Sequence, residues 1–228
     1  ALVAMYDSPD GRAARDASSL LQTLGRTGSP RALRLLLRAL PRNPRAPQRD
    51  EDARRGAALA GLEAFARARG RIDPEAFDPL EALLAPAATE GSTPDAARAY
   101  VATVLGLLGA TENPRASRVV GPYLQSPHHP LRVAAARALA RLGVASVEGP
   151  AARGLGDPDP AVRLALADGI TRTGGSAVVE ALIAVWVSSQ PVDRASAARA
   201  LGRSAARVPA LRDRTALLLA SSLRDASA

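Results

Sequence analysis

The sequence has no cysteine, no lysine, few aromatic residues and no long apolar run. Without cysteine, disulfides, thiolate catalysis and cysteine-ligated metals are all excluded. A membrane-spanning helix needs roughly 20 apolar residues, and the best candidate, residues 178–187, is interrupted by Glu180. We therefore predict no transmembrane segment. The compartment stays open: a cytoplasmic location is slightly favoured, and export after removal of a leader is the alternative, because the chain begins with Ala1.

The composition favours an all-α fold. Alanine and leucine dominate, aromatics make up 3%, and runs of β-branched residues are scarce, which is typical of closely packed helices. All 30 basic residues are arginine, which indicates a GC-rich genome, interpreted here as bacterial.

Proline and glycine mark the predicted helix boundaries. A capping residue precedes proline at five predicted helix starts: Ser29-Pro30, Asp73-Pro74, Thr93-Pro94, Asn113-Pro114 and Asp159-Pro160. Five glycines are placed where a left-handed C-terminal cap would end a helix: Gly28, Gly70, Gly109, Gly143 and Gly174. These signals predict six helix pairs, at about 12–26/30–40, 49–69/74–84, 94–108/114–125, 129–142/145–155, 159–173/176–188 and 191–206/208–223.

An internal repeat accompanies these pairs. One apolar position recurs at spacings of 41, 40, 34, 31 and 31 residues: Leu24, Phe65, Leu105, Leu139, Ile170 and Leu201. Periods of this size, each with two helical patterns, are typical of stacked helical repeats. We expect residues 1–228 to form a single continuous array of about six helix pairs, less regular over 1–93 and regular over 94–228.

The regular part resembles the HEAT repeats, in particular the short HEAT-like repeats of phycobilisome lyases. The segment DPDPAVRLALADGITRTGGSAVVEALIAVW carries the resemblance best, and an arginine precedes the recurring apolar position by seven residues in four units: Arg98, Arg132, Arg163 and Arg194. The resemblance implies a right-handed α-solenoid of stacked antiparallel helix pairs. We expect these four arginines to form a structural ladder with carboxylates and loop carbonyls of adjacent units, for which Asp157, Asp159 and Asp193 are suitable partners. A row of arginines that binds an anionic ligand is the alternative interpretation.

Residues that suggest catalysis or metal binding have structural interpretations. His128 and His129 are adjacent at a helix start and lack the spacing of a metal site. Asp157 and Asp159 resemble paired carboxylates, but Asp159 suits a helix cap better. Trp186, the single tryptophan, is expected in the core, with an interaction anchor as the alternative. We expect no enzyme activity and no cofactor.

The charge distribution supplies the candidate binding site. Residues 17–49 contain seven arginines and no acid, whereas residues 50–99 carry ten acids against six arginines. We predict partner binding by five arginines of the first stretch, three of which share one helix face: Arg31, Arg34, Arg38, Arg42 and Arg45. A solvated helix face is the alternative interpretation. A second acid-free stretch, 114–147, carries five more arginines.

Three functions fit these features. The leading expectation, which the resemblance implies, is a non-catalytic scaffold or adaptor that presents a helical surface to a protein partner, which could be acidic. A nucleic-acid binder with a basic groove is the second, and a lyase or chaperone-like accessory subunit is the third. Residues 1–6 and Leu217–Leu219 also suggest an array that continues at both ends, within a longer protein or assembly.

Overall fold

The computed structural model describes residues 17–40, 49–85 and 94–142 without interruption. Beyond them it describes residues 154, 157–159, 161–163, 165–166, 183, 186, 198, 201–202, 212–213, 216–217 and 220. These residues fall into two compact units, one within residues 1–119 and the other within 120–228.

The described part of the first unit contains α-helices and one 3₁₀ helix, and the last α-helix ends at the boundary with the second unit. They are α1 (Ala17–Arg26), α2 (Pro30–Ala39), α3 (Arg49–Arg69), a 3₁₀ helix (Pro74–Ala76), α4 (Phe77–Ala82), α5 (Pro94–Ala110) and α6 (Ala116–Val120). In the second unit, a 3₁₀ helix (Gly121–Gln125) precedes α7 (His129–Leu142). The described part of the chain contains helices and no strand, so the all-α prediction is confirmed.

The predicted boundary residues explain several helix ends. The Ser29 hydroxyl accepts a hydrogen bond from the Ala32 amide at 3.1 Å and so caps the N-terminus of α2. Gly28 and Gly70 have φ values of 60° and 77°, in the left-handed region that a residue without a Cβ adopts easily. The prediction for Gly109 is wrong, because this residue lies inside α5 and Glu112 instead has a positive φ of 52°.

Two predicted helices are shorter and less regular than expected. The predicted helix 74–84 consists of a 3₁₀ turn followed by α4, and the predicted helix 114–125 divides into α6 and a second 3₁₀ helix. Pro122 lies at the start of that second 3₁₀ helix. Proline has no amide hydrogen and clashes with the preceding turn, so an α-helix does not continue through it unbroken.

The recurring apolar positions lie in the core. Five of the six are in the described residues, and each is at most 2% exposed: Leu24, Phe65, Leu105, Leu139 and Leu201. Their burial shows that the recurring position faces inward at each of these five places. Ile170 lies outside the described residues.

The helices α1 and α3 pack closely against each other. A Cβ on Gly25 would lie 2.0 Å from the Gly61 carbonyl oxygen, and one on Gly61 would lie 2.7 Å from the Leu21 carbonyl oxygen. Further along, Gly28 lies beside Ala68 and Arg69. Residue numbers rise together along both helices, so α1 and α3 run in the same direction.

The sequence predicts no transmembrane segment, and the described helices agree with this prediction. Among the described helices, none combines the length and the hydropathy that crossing a bilayer requires.

Candidate functional site

The α2 helix exposes three arginines of the predicted binding site. Arg31, Arg34 and Arg38 are exposed, whereas Leu33 and Leu36 on the opposite side are fully buried. The intervals of three and four residues place the three arginines along one stripe of the helix. We refer to Arg31, Arg34 and Arg38 as the arginine strip.

Local sequence holds the strip in place. Ser29 caps the start of α2, Pro30 occupies the first turn, and Leu33 and Leu36 anchor the buried side. Seven residues separate the ends of the strip, and a rise of 1.5 Å per residue gives it a length of about 10 Å. The strip therefore stands on a packed helix, not on a loop.

The sequence that carries the strip, from the start of α1 to the end of α2, has no acidic residue. In the parts of the chain that the structure describes, no carboxylate forms an ion pair with Arg31, Arg34 or Arg38. Other arginines of the first unit do have such partners. Arg71 lies 3.7 Å from Glu112, and Arg115 lies 2.9 Å from Asp78.

The border of the strip is apolar. Leu37 is half-buried and Pro30 is exposed, and their helical positions place them together along one side of the strip. The other two predicted binding residues, Arg42 and Arg45, lie outside the described residues.

Arg132, a member of the predicted ladder, contacts both a carboxylate and a loop carbonyl oxygen. Its Nε donates to Asp157 Oδ2 at 3.0 Å, and its Nη1 donates to the Ser126 carbonyl oxygen at 3.2 Å. The side chains of Arg132 and Asp157 are only 17% and 7% exposed. Asp157 also accepts a hydrogen bond from the Asp159 amide at 2.8 Å. The pair thus fixes α7 to the turn at residues 157–159.

The other ladder positions differ from one another. Arg163 donates through Nη1 to the Asp157 carbonyl oxygen, which brings it to the same turn as Arg132. Arg98 instead pairs with Asp95, three residues earlier in its own helix. Arg194 and its suggested partner Asp193 lie outside the described residues.

The two histidines and their neighbours form no metal cluster. His129 Nε2 contacts the Asp159 carboxylate, while Asp159 Oδ1 caps the next helix by accepting from the Ala161 amide at 2.8 Å. Within the described ranges, no group of three His, Cys, Asp or Glu side chains could hold a metal ion. Trp186 is 7% exposed, in agreement with a core position.

Several contacts were not expected from the sequence. The Arg115 guanidinium lies 4.6 Å from the centre of the Phe77 ring and also reaches Glu81 at 3.8 Å. The Ile72 amide donates to the Ala110 carbonyl oxygen at 2.7 Å. Burial raises the pKa of the Tyr123 phenol above its ordinary value. No local sequence pattern predicts the long-range contacts of Arg115 and of the Ile72 amide.

The sequence was compared with models of known protein families and with curated protein sequences, and neither comparison gives a match.

Proposed function

We propose that this protein is a non-catalytic scaffold or adaptor built as a right-handed HEAT-like α-solenoid, with a protein as its partner. Helical arrays of this kind bind others through extended surfaces, since each repeat contacts only its neighbours. The proposal needs successive helix pairs to stack in register. It also needs an exposed surface whose charged groups are not already paired with other groups of the same chain.

The contacts of the first unit support stacking. The first helices of the first two predicted pairs, α1 and α3, run in the same direction and meet at Gly25 and Gly61. The turn that follows α3 is joined to the C-terminal residue of α5 by the Ile72–Ala110 hydrogen bond. Neighbouring helix ends and parallel first helices are what stacked repeats produce.

The single observation that carries the proposal is the arginine strip. Three guanidinium groups stand on one ordered helix without a carboxylate partner in the described residues, and their placement is held by buried leucines. Guanidinium groups form strong bidentate hydrogen bonds with carboxylates or phosphates. An unpaired row of them is therefore a surface suited to an acidic ligand.

A pull-down from an extract of the source cells tests the function. The full-length chain is used as bait, with and without nuclease, beside the variant Arg31→Glu/Arg34→Glu/Arg38→Glu. We expect specific proteins to be retained after nuclease treatment. If the retained proteins disappear after nuclease treatment, the result favours a nucleic-acid binder. If the bait retains a cofactor-bearing protein and releases it in a modified form, the result favours a lyase or chaperone-like subunit.

A further inference from the structure

We propose that the arginine strip is a docking site for an acidic amphipathic helix, whose carboxylates follow the same three- and four-residue spacing. This inference rests on the proposed function as a protein-binding scaffold and names the chemistry of the partner. Its three anchors are Arg31, Arg34 and Arg38, all exposed on α2.

Spacing is the first reason for a helical partner. The three guanidinium stems rise over about 10 Å along α2. Carboxylates placed three and four residues apart on a second helix rise over the same distance, so a helix lying along α2 could meet all three arginines. Bidentate pairing would then fix the register of the two helices.

The apolar border is the second reason. Leu37 is half-buried and Pro30 is exposed along one side of the strip. A partner helix with one or two apolar residues next to its acidic stripe could cover this border while its carboxylates pair with the arginines. The charged sugar–phosphate backbone of a nucleic acid offers little apolar surface to cover this border.

Composition around the strip gives the third reason. Residues 17–40 contain no aromatic side chain on which an exposed base could stack, and stacking contributes strongly to the binding of single strands. Charge complementarity with an apolar margin therefore favours a protein helix over a nucleic acid.

The test uses the full-length chain and three synthetic peptides of about 20 residues, long enough to be helical. The first carries glutamates at i, i+3 and i+7 with adjoining leucines. The second replaces each glutamate by glutamine, and the third keeps the composition but places the glutamates consecutively. We expect the first peptide to bind at least about tenfold more tightly than the other two, because three ion pairs form together.

Two variants of equal net charge locate the site. Arg31→Glu/Arg34→Glu/Arg38→Glu should remove the preference for the first peptide. Arg118→Glu/Arg137→Glu/Arg141→Glu, which changes three exposed arginines outside the strip, should keep it. Circular dichroism checks that both variants fold.

The inference is overturned if the first and second peptides bind alike, if the first and third bind alike, or if both triple variants lose the preference equally. Tighter binding of a short DNA duplex, abolished by the strip variant, would also overturn it. If the peptides show none of the expected binding preferences while the pull-down still retains proteins after nuclease treatment, the helix-docking inference is wrong and the proposed scaffold function is supported. If the pull-down retains none, the proposed function itself falls.

Discussion

Gly25 and Gly61 lie against each other where α1 crosses α3, with no space for a side chain on either. A Cβ on Gly25 would lie 2.0 Å from the Gly61 carbonyl oxygen, which is backbone and cannot rotate away. The two glycines let the backbones of α1 and α3 approach directly. The arginine strip stands on the helix that follows α1, and Leu36 of that helix contacts Gly61 as well. The position of the strip therefore depends on this crossing.

Substitution of Gly25 by alanine should destabilise the protein by about 2 kcal/mol or more, because overpacking of a close contact typically costs 1–3 kcal/mol. The control is Gly56→Ala in α3, where nothing lies within 4 Å of the added Cβ. There the better helix propensity of alanine should stabilise by about 0.5–1 kcal/mol. Urea unfolding measures both. Equal stability of the two variants would show that the helices do not meet at Gly25.

Substitutions at Gly70 and Gly106 separate the effect of backbone conformation from the effect of steric crowding. Neither has an atom within 4 Å of an added Cβ, but only Gly70 has a positive φ, at 77°. Gly70→Ala should lose about 1–2 kcal/mol because alanine is strained in this region. Gly106→Ala, inside α5, should gain up to about 1 kcal/mol. Thermal unfolding of both variants decides the matter, and a stabilising Gly70→Ala would contradict the left-handed cap.

Local signals predicted much of the fold. Residue types and short sequence spacings predict the cap at Ser29, the left-handed turns at Gly28 and Gly70 and the burial of Leu105. The Gly109 prediction failed because α5 continues to Ala110 and the turn is made at Glu112. A glycine near a helix end signals a cap only if the packing ends the helix there.

Contacts between helices that are distant in the sequence could not be predicted in the same way. The close approach of Gly25 and Gly61 depends on which helices pack together. Similarly, Arg115 donates a hydrogen bond to Asp78, which lies 37 residues earlier in the sequence. For the candidate site, helical spacing alone was enough to place Arg31, Arg34 and Arg38 on one face. Whether acids from distant parts of the chain form ion pairs with these arginines depends on the three-dimensional arrangement and not on local spacing.

The N-cap of α2 offers a third prediction. Ser29→Ala removes the hydroxyl that accepts from the Ala32 amide, and loss of such a cap typically destabilises by about 1 kcal/mol. Ser29→Asp keeps an acceptor at the same position and should remain close to the original protein in stability. Chemical unfolding of both variants provides the measurement. If alanine and aspartate behaved identically, the hydroxyl would not act as a cap.

The last prediction separates two members of the proposed ladder, Arg132 and Arg98. Arg132 pairs with Asp157, whose side chain is 7% exposed, so Arg132→Met would leave a buried carboxylate without its counter-ion. Breaking a buried pair from one side typically costs about 3–5 kcal/mol, and we expect about 2–4 kcal/mol here because the Asp159 amide still donates to Asp157. Arg98→Met breaks a pair with Asp95, which is 93% exposed, and should cost less than about 1 kcal/mol.

A double variant makes the cause of this difference measurable. Arg132→Met combined with Asp157→Asn removes the unpaired charge, so it should be more stable than Arg132→Met alone. Urea unfolding of the single and double variants gives the coupling between the two side chains. A loss for Arg98→Met as large as that for Arg132→Met would mean that the ladder position itself matters, independently of the burial of its partner. A double variant less stable than Arg132→Met would mean that the Asp157 carboxylate is stabilised by the turn at 157–159 and not by the arginine.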